Sequence, residues 1–476
     1  MPQAQVASSH HIPDGTGDAR KILINLYAEK ADADPARPFK LAYIPGSIDA
    51  DPNNNITDTI RGVVQTDGHA GGAILINDGD TVRTHQPEAG TWGALSGTVI
   101  GSGRVQWAFS ENEGACLSDG TPFISTGTSI ATASDGDYTT LLVAHGQGGF
   151  TSIASLGQRL LLTYGSRFAF SNALDFNNTT ALSYYTAESH PDGVVAGVVL
   201  GREYYLFGTR VIEPWAETGD DDDPFAPILG REIPTGCLCR DAICEVDNTL
   251  VFVAADFSVR RINGAVAEII SEPWLVRKLK TASVASMLAR RYNVENHDFY
   301  VLNTDVGCFV WDAATGEWHQ RQTYNKDVWD WAYLVSKNGH WYAGERSGSR
   351  FARLDRAYNS EYGADADTFG AEVLLEFTAH MPSLGGRPAI PSIRLDGRRG
   401  IGSSRNRFED GKVWMRLSKD NGNTWGPWRE RSTGAQGEYG TRIIWRQNGR
   451  ARDPQVIAHF RTNDRLDVTA VMINED

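Results

Sequence analysis

The most chemically pointed spacing in the chain is Ser418-Lys419-Asp420-Asn421-Gly422-Asn423-Thr424-Trp425. A carboxylate placed between two hydroxyl residues can accept hydrogen bonds from its own turn. Gly422 supplies the positive φ such a turn needs. Trp425 is expected to pack over the hairpin. This chemistry is structural, so Ser418, Asp420, Gly422, Thr424 and Trp425 are expected to form a hairpin clasp. A second cluster is Asp220-Asp221-Asp222-Asp223, after Gly219 and before Pro224-Phe225. Its oxygens suit calcium, but four consecutive side chains fan outward and no glycine turn is interleaved. A solvated loop between strands is the expectation. A third cluster is Cys237-Leu238-Cys239 with Cys244. It lacks the spacing of a zinc site and has no nearby histidine, so it reads as a half-buried core edge.

No phosphate-binding G-x-x-x-x-G-K-[ST] loop, H-E-x-x-H or G-x-S-x-G elbow is present. The residues make no positive case for catalysis, a metal or a cofactor. Glycoside hydrolysis needs two carboxylates flanking the bond. With 59 acidic residues, spacing alone neither selects nor excludes a pair. The Ser418–Trp425 stretch resembles the Asp-box, S-x-D-x-G-x-T-W, of sialidases and other propeller glycosidases, where the motif lies away from the catalytic face. Such enzymes carry several copies, and only one is found here. A β-propeller glycosidase or carbohydrate-binding protein is therefore the alternative reading.

The elements that must position these clusters are β-strands. Forty-nine glycines among 476 residues imply many turns, and the 13 Trp, 16 Tyr and 18 Phe suit strands. No apolar run approaches the roughly 20 residues of a membrane helix, and the N-terminus lacks a signal-peptide pattern. Five cysteines fit synthesis in a reducing cytoplasm. Net charge is −14, yet from Arg387 onward 17 Lys+Arg face 11 Asp+Glu. A basic C-terminal region on an acidic body implies two different neighbours. Arg394, Arg398, Arg399, Arg405 and Arg407, near Phe408 and Trp414, are candidate partner contacts. They suit phosphates and bases or a protein interface, and the interface is the favoured reading.

In chain order, residues 1–58 form an extended leader with one strand at Ile22–Tyr27. Residues 59–361 repeat a texture of short apolar strands and Gly, Asp or Asn turns. Units start near Arg61, Arg104, Phe150, Val194, Ala242, Val284 and Val328. The spacing of roughly 40–45 residues is that of a four-stranded propeller blade. About seven blades are expected, with six or eight allowed; a run of β-sandwiches is the competing architecture. Within this region Tyr204–Phe207 and Val211–Trp215 read as paired strands, and Val276–Arg291 as room for a short helix. Residues 362–370 read as a linker, and 371–476 as a C-terminal β-sandwich-like domain. The fold class is all-β.

Several separated stretches resemble the tail-hub, or packaged-DNA stabilisation, proteins of short-tailed bacteriophages. They are Ile24-Asn25-Leu26-Tyr27, Ile44-Pro45-Gly46, Phe170 to Asp175, and the segment 201–237 with Leu206-Phe207-Gly208, Ile212-Glu213, Trp215 and Gly236-Cys237. Gly434 to Gly440, Trp445-Arg446 and Gly449 to Asp453 complete the set. The resemblance implies a non-enzymatic virion protein made in the bacterial cytoplasm. It implies a homo-oligomeric nozzle ring, expected as a homohexamer, below the portal and its adaptor or head-completion protein. Such a ring seals packaged DNA, docks a tailspike or tail fibre and forms part of the ejection channel for double-stranded DNA. A tail needle or plug is among the implied partners, and membrane insertion is not.

Overall fold

The computed structural model describes residues 3–11, 21–30, 39–111, 113–133, 136–187, 193–362, 371–381, 389–401, 411–450 and 456–473. Six four-stranded antiparallel sheets stand apart from one another. Five are consecutive meanders, covering residues 60–94, 106–132, 152–186, 194–227 and 244–269. A further meander, residues 288–321, has the same form, but its outer strand continues into a larger sheet. The last unit combines residues 331–355 with Gly46–Asp49 from the leader. These units are numbered first to seventh in that order.

The strands are apolar on both faces because each sheet is covered twice. Ile74 and Ile76 face the seventh unit, while Leu75 between them faces the second. Leu160 and Leu162 pack toward the second unit, and Leu161 toward the fourth. Every neighbouring pair of units shares such a cluster, including the first with the seventh, so the ring closes. The expected pairing is found, with Tyr204 opposite Trp215 and Phe207 opposite Ile212. The expected helix is present only at its start, as Pro273–Leu279, and the chain re-enters a strand at Leu288. A second helix, Gly136–Ala144, was not anticipated.

The C-terminal domain is two packed sheets. One contains Leu375–His380, Ile457–Thr462, Gly411–Ser418 and Arg429–Gly434. The other contains Ile443–Arg446, Ser392–Gly397 and Val468–Ile473. Phe377 stacks on Phe460 at 4.9 Å, and Trp445 meets Phe460 edge-on at 5.6 Å.

The leader ties the two bodies together. Gln3–Val6 pairs with strands of both sandwich sheets, Gln5 opposite His380 and Gln3 opposite Met472. Leu23–Ile24 lies between the sixth unit's outer strand and Leu375–His380. Asn25 then takes a φ of 58°, which splits the expected single strand in two. Its side chain donates to Gln322 O at 3.0 Å and Leu374 O at 2.9 Å, one on each body.

Beside this junction Arg321 is fully buried. Its guanidinium lies 4.5 Å from the Tyr292 ring, 4.9 Å from Trp329 and 5.5 Å from Phe299. None of its three nitrogens has a hydrogen-bond acceptor among the described residues. Aromatic faces return only part of the desolvation cost of a cation. Arg321→Met is therefore expected to unfold within about 1 kcal/mol of the parent or above it. Arg321→Ala, which leaves a cavity, is expected to lose about 3 kcal/mol. Urea unfolding of both variants checks this, and a methionine variant as unstable as the alanine one contradicts it.

Candidate functional site

The Ser418–Trp425 turn is a closed set of internal bonds. Ser418 Oγ donates to Asp420 Oδ1 at 2.7 Å and accepts from Gly422 N at 2.8 Å. Thr424 N donates to Asp420 Oδ1 at 2.8 Å, and Thr424 Oγ1 to Asp420 Oδ2 at 2.6 Å. The Thr424 hydroxyl and amide, with Ser418, hold the Asp420 carboxyl below its usual range. Gly422 has a φ of 90°. The Trp425 ring lies against Arg416, whose guanidinium is 4.8 Å from it and 4.5 Å from Trp428. Every acceptor of Asp420 is turned inward to its own loop. Asp420→Ala is expected to lower stability by about 1–2 kcal/mol in a thermal melt and to leave partner binding unchanged.

The acidic run is the expected exposed loop, and it is tethered at two points. Asp221 accepts from Arg159 Nη2 at 3.1 Å, and Asp223 accepts from the Tyr185 hydroxyl. Burial pushes the Tyr185 hydroxyl up to about 12, and the Asp223 bond adds to the shift. Both tethers come from the third unit, whereas the loop belongs to the fourth. Among the described residues no group of three or more His, Cys, Asp or Glu side chains is arranged to hold a metal ion. Cys237 is buried, Cys239 and Cys244 are partly exposed, and all three are free thiols.

The loop borders a groove of about 440 Å³ between the third and fourth units, floored by Tyr185, Trp215 and Phe225. A second cavity, about 610 Å³, lies on the propeller axis and is lined from all seven inner strands, among them Val63, Gln106, Ile153, Val198, Arg290 and Val335. It holds the carboxylates Asp241 and Glu245. Burial works against ionised Asp241, but Arg240 and Arg104 together keep it below the ordinary range. A glycosidase acid needs the reverse, a raised pKa.

Of the predicted contact arginines, Arg394 donates to Asp396 at 2.9 and 2.7 Å. Arg399 donates to Thr441 O at 2.6 Å and lies 3.9 Å from Asp396. Arg398 is exposed. Arg405 and Arg407 lie outside the described residues. A different set of arginines gathers around the edge strand Ile443–Arg446. Arg429 donates to Arg446 O at 3.2 Å, and Arg431 donates to Ile444 O at 2.8 Å. Burial and then the neighbouring Arg431 lower the Arg429 pKa. Arg442, Arg446 and Arg450 are exposed around the same strand. The sequence signal was the two-residue spacing of Arg429 and Arg431, which places both on one face of the strand Arg429–Gly434.

The family comparisons agree with this division into two bodies. Residues 61–359 match the β-propeller model of bacteriophage P22 Gp10, and residues 374–472 match its β-sandwich model. No curated protein matches the sequence. Among solved structures the chain is similar to PorZ, a surface component of the type-IX secretion system of Porphyromonas gingivalis. Identity is 12%, with 74% of this chain and 44% of that chain covered, at a TM-score of 0.41. It is also similar to the extracellular domain of the one component system BT4673 from B. thetaiotaomicron. There identity is 11%, with 94% and 62% covered, at a TM-score of 0.43. The chain thus spans less than two thirds of either. By the match over both its domains, this chain belongs to the bacteriophage P22 Gp10 family of phage structural proteins that stabilise packaged DNA.

Proposed function

We propose that the chain is the tail hub of a short-tailed phage. In this reading several copies, six expected, form a nozzle ring beneath the portal and its adaptor. The ring retains packaged DNA, carries tailspikes or fibres and borders the ejection path. The observation that carries the reading is the family match across propeller and sandwich together. The dimensions of the axial cavity add a constraint. A space of about 610 Å³ suits a small molecule, not a duplex. The ejection path in this reading therefore lies between copies, not through a propeller. The chain's net charge of −14 suits a conduit wall that lets a polyanion slide. No catalytic step is needed.

The test uses DNA-filled heads that bear portal and adaptor but lack tails. Added chain is expected to form a ring at the portal vertex and to slow DNA leakage. Absence of binding, or binding with unchanged leakage, overturns the reading.

A further inference from the structure

We infer that the arginine-lined edge of one copy's sandwich docks in the acidic groove between the third and fourth propeller units of a neighbouring copy. This deepens the ring reading above and rests on it. The groove has the anatomy of an interface that lacks its partner. Trp215 and Phe225, 5% and 1% exposed, form its floor, while Leu229 at its border is 82% exposed. From Glu213 to Glu232 there are seven carboxylates and one cation, Arg231, which is already paired with Glu203. The Arg159 and Tyr185 tethers hold the acidic wall in place, so docking would not first have to order it.

The complementary surface is on the same chain. Arg429 donates to Arg446 O and Asn448 Oδ1, and Arg431 to Ile444 O and Glu430 O, so both are engaged within the chain. Arg442, Arg446 and Arg450 remain exposed, with no ion pair among the described residues. Arginine suits this use, because its stem covers apolar surface while its planar head meets carboxylates. The two patches differ, so the contact is head-to-tail. Such contacts close into rings or run into filaments.

Charge reversal tests the pairing. One variant carries Arg442→Glu and Arg446→Glu; the other carries Asp222→Lys and Glu232→Lys. All four residues are exposed, and melting curves check that each variant folds. Each alone is expected to weaken self-association in sedimentation by ~10-fold or more. An equal mixture of the two is expected to restore it, since every contact is then again between opposite charges. Replacing both arginines with glutamine should give a smaller loss. Unchanged association in both variants overturns the inference, as does loss without restoration in the mixture. So does a parent chain that stays monomeric in solution. If arginine reversal affects only DNA retention, the edge faces nucleic acid and the inference also falls. In any of these cases, parent chain that still rings and seals tailless heads leaves the hub reading standing.

Discussion

Deletion of residues 1–49 is expected to leave no cooperatively folded chain. The cut removes the fourth strand of the seventh unit, which pairs from Gly46 opposite Asp355 to Asp49 opposite Ala352. It also removes Leu23, Leu26, Tyr27, Leu41, Ala42 and Ile44, each at most 2% exposed and packed where the two bodies meet. At about 1.5–3 kcal/mol for a large apolar side chain, this set is worth on the order of 10 kcal/mol. That matches the whole stability of an ordinary domain, about 5–15 kcal/mol. A single substitution tests the same strap. A Cβ on Gly46 would lie 2.6 Å from Ser360 O and 2.7 Å from Tyr358 O, both backbone atoms. Gly46→Val must therefore push the closing strand out of the sheet, at an expected cost of about 3 kcal/mol or more. Lys40→Ala, which removes only a partly exposed pair with Glu29, is the control and should cost under about 1 kcal/mol. Circular dichroism melts and protease digestion read all three. A truncated chain that melts as sharply and as high as the full chain would refute the strap.

The second large effect concerns Glu361, 3% exposed at the end of the propeller. Trp329 Nε1 donates to its Oε1 at 3.2 Å, but its Oε2 has no partner among the described residues. Burial pushes its pKa from 4.5 up to about 7; the Thr323 hydroxyl opposes the shift and the Asp330 carboxylate adds to it. The folded state thus holds a proton that the unfolded state has already released. Between the unfolded and folded pKa values the native state binds more protons, so stability falls as pH rises through that window and levels off above about 7. The loss is on the order of 3 kcal/mol. Glu361→Gln keeps the shape and removes the charge. It is expected to match the parent near about pH 5 and to be more stable by about 2 kcal/mol near about pH 8. Urea unfolding across that range measures it, and parallel curves for parent and variant would remove Glu361 as the cause.

The strands and their repeat were legible because burying both faces of a short sheet writes a run such as Ile74-Leu75-Ile76 into the sequence. Turn residues then mark its end. The Asp-box was legible for a similar reason, since all its bonds fall within eight residues. What escaped was non-local. Gly46–Asp49 lies in a Pro- and Asn-rich stretch that reads as loop, and only pairing with a strand 300 residues later makes it a strand. The helix at Gly136–Ala144 follows Ser134-Asp135 and contains two threonines, a weak local signal. The acidic run is solvated as read, but its anchors, Arg159 and Tyr185, come from another unit and could not be seen locally. The Arg429 to Arg450 set was invisible as a set, because neighbouring strands bring it together.

The strap has a consequence for synthesis. Residue 3 pairs with residue 472, and the ring cannot close until residue 355 has been made. At a translation rate of roughly 5–20 residues per second, the first strand waits on the order of tens of seconds for its partner. During that interval the leader and each finished unit expose unpaired edges to other nascent chains. Sheet contacts this distant in sequence also close slowly once both halves exist. Synthesis of Val468–Ile473 thus sets the moment at which Gln3–Val6 stops being an aggregation hazard.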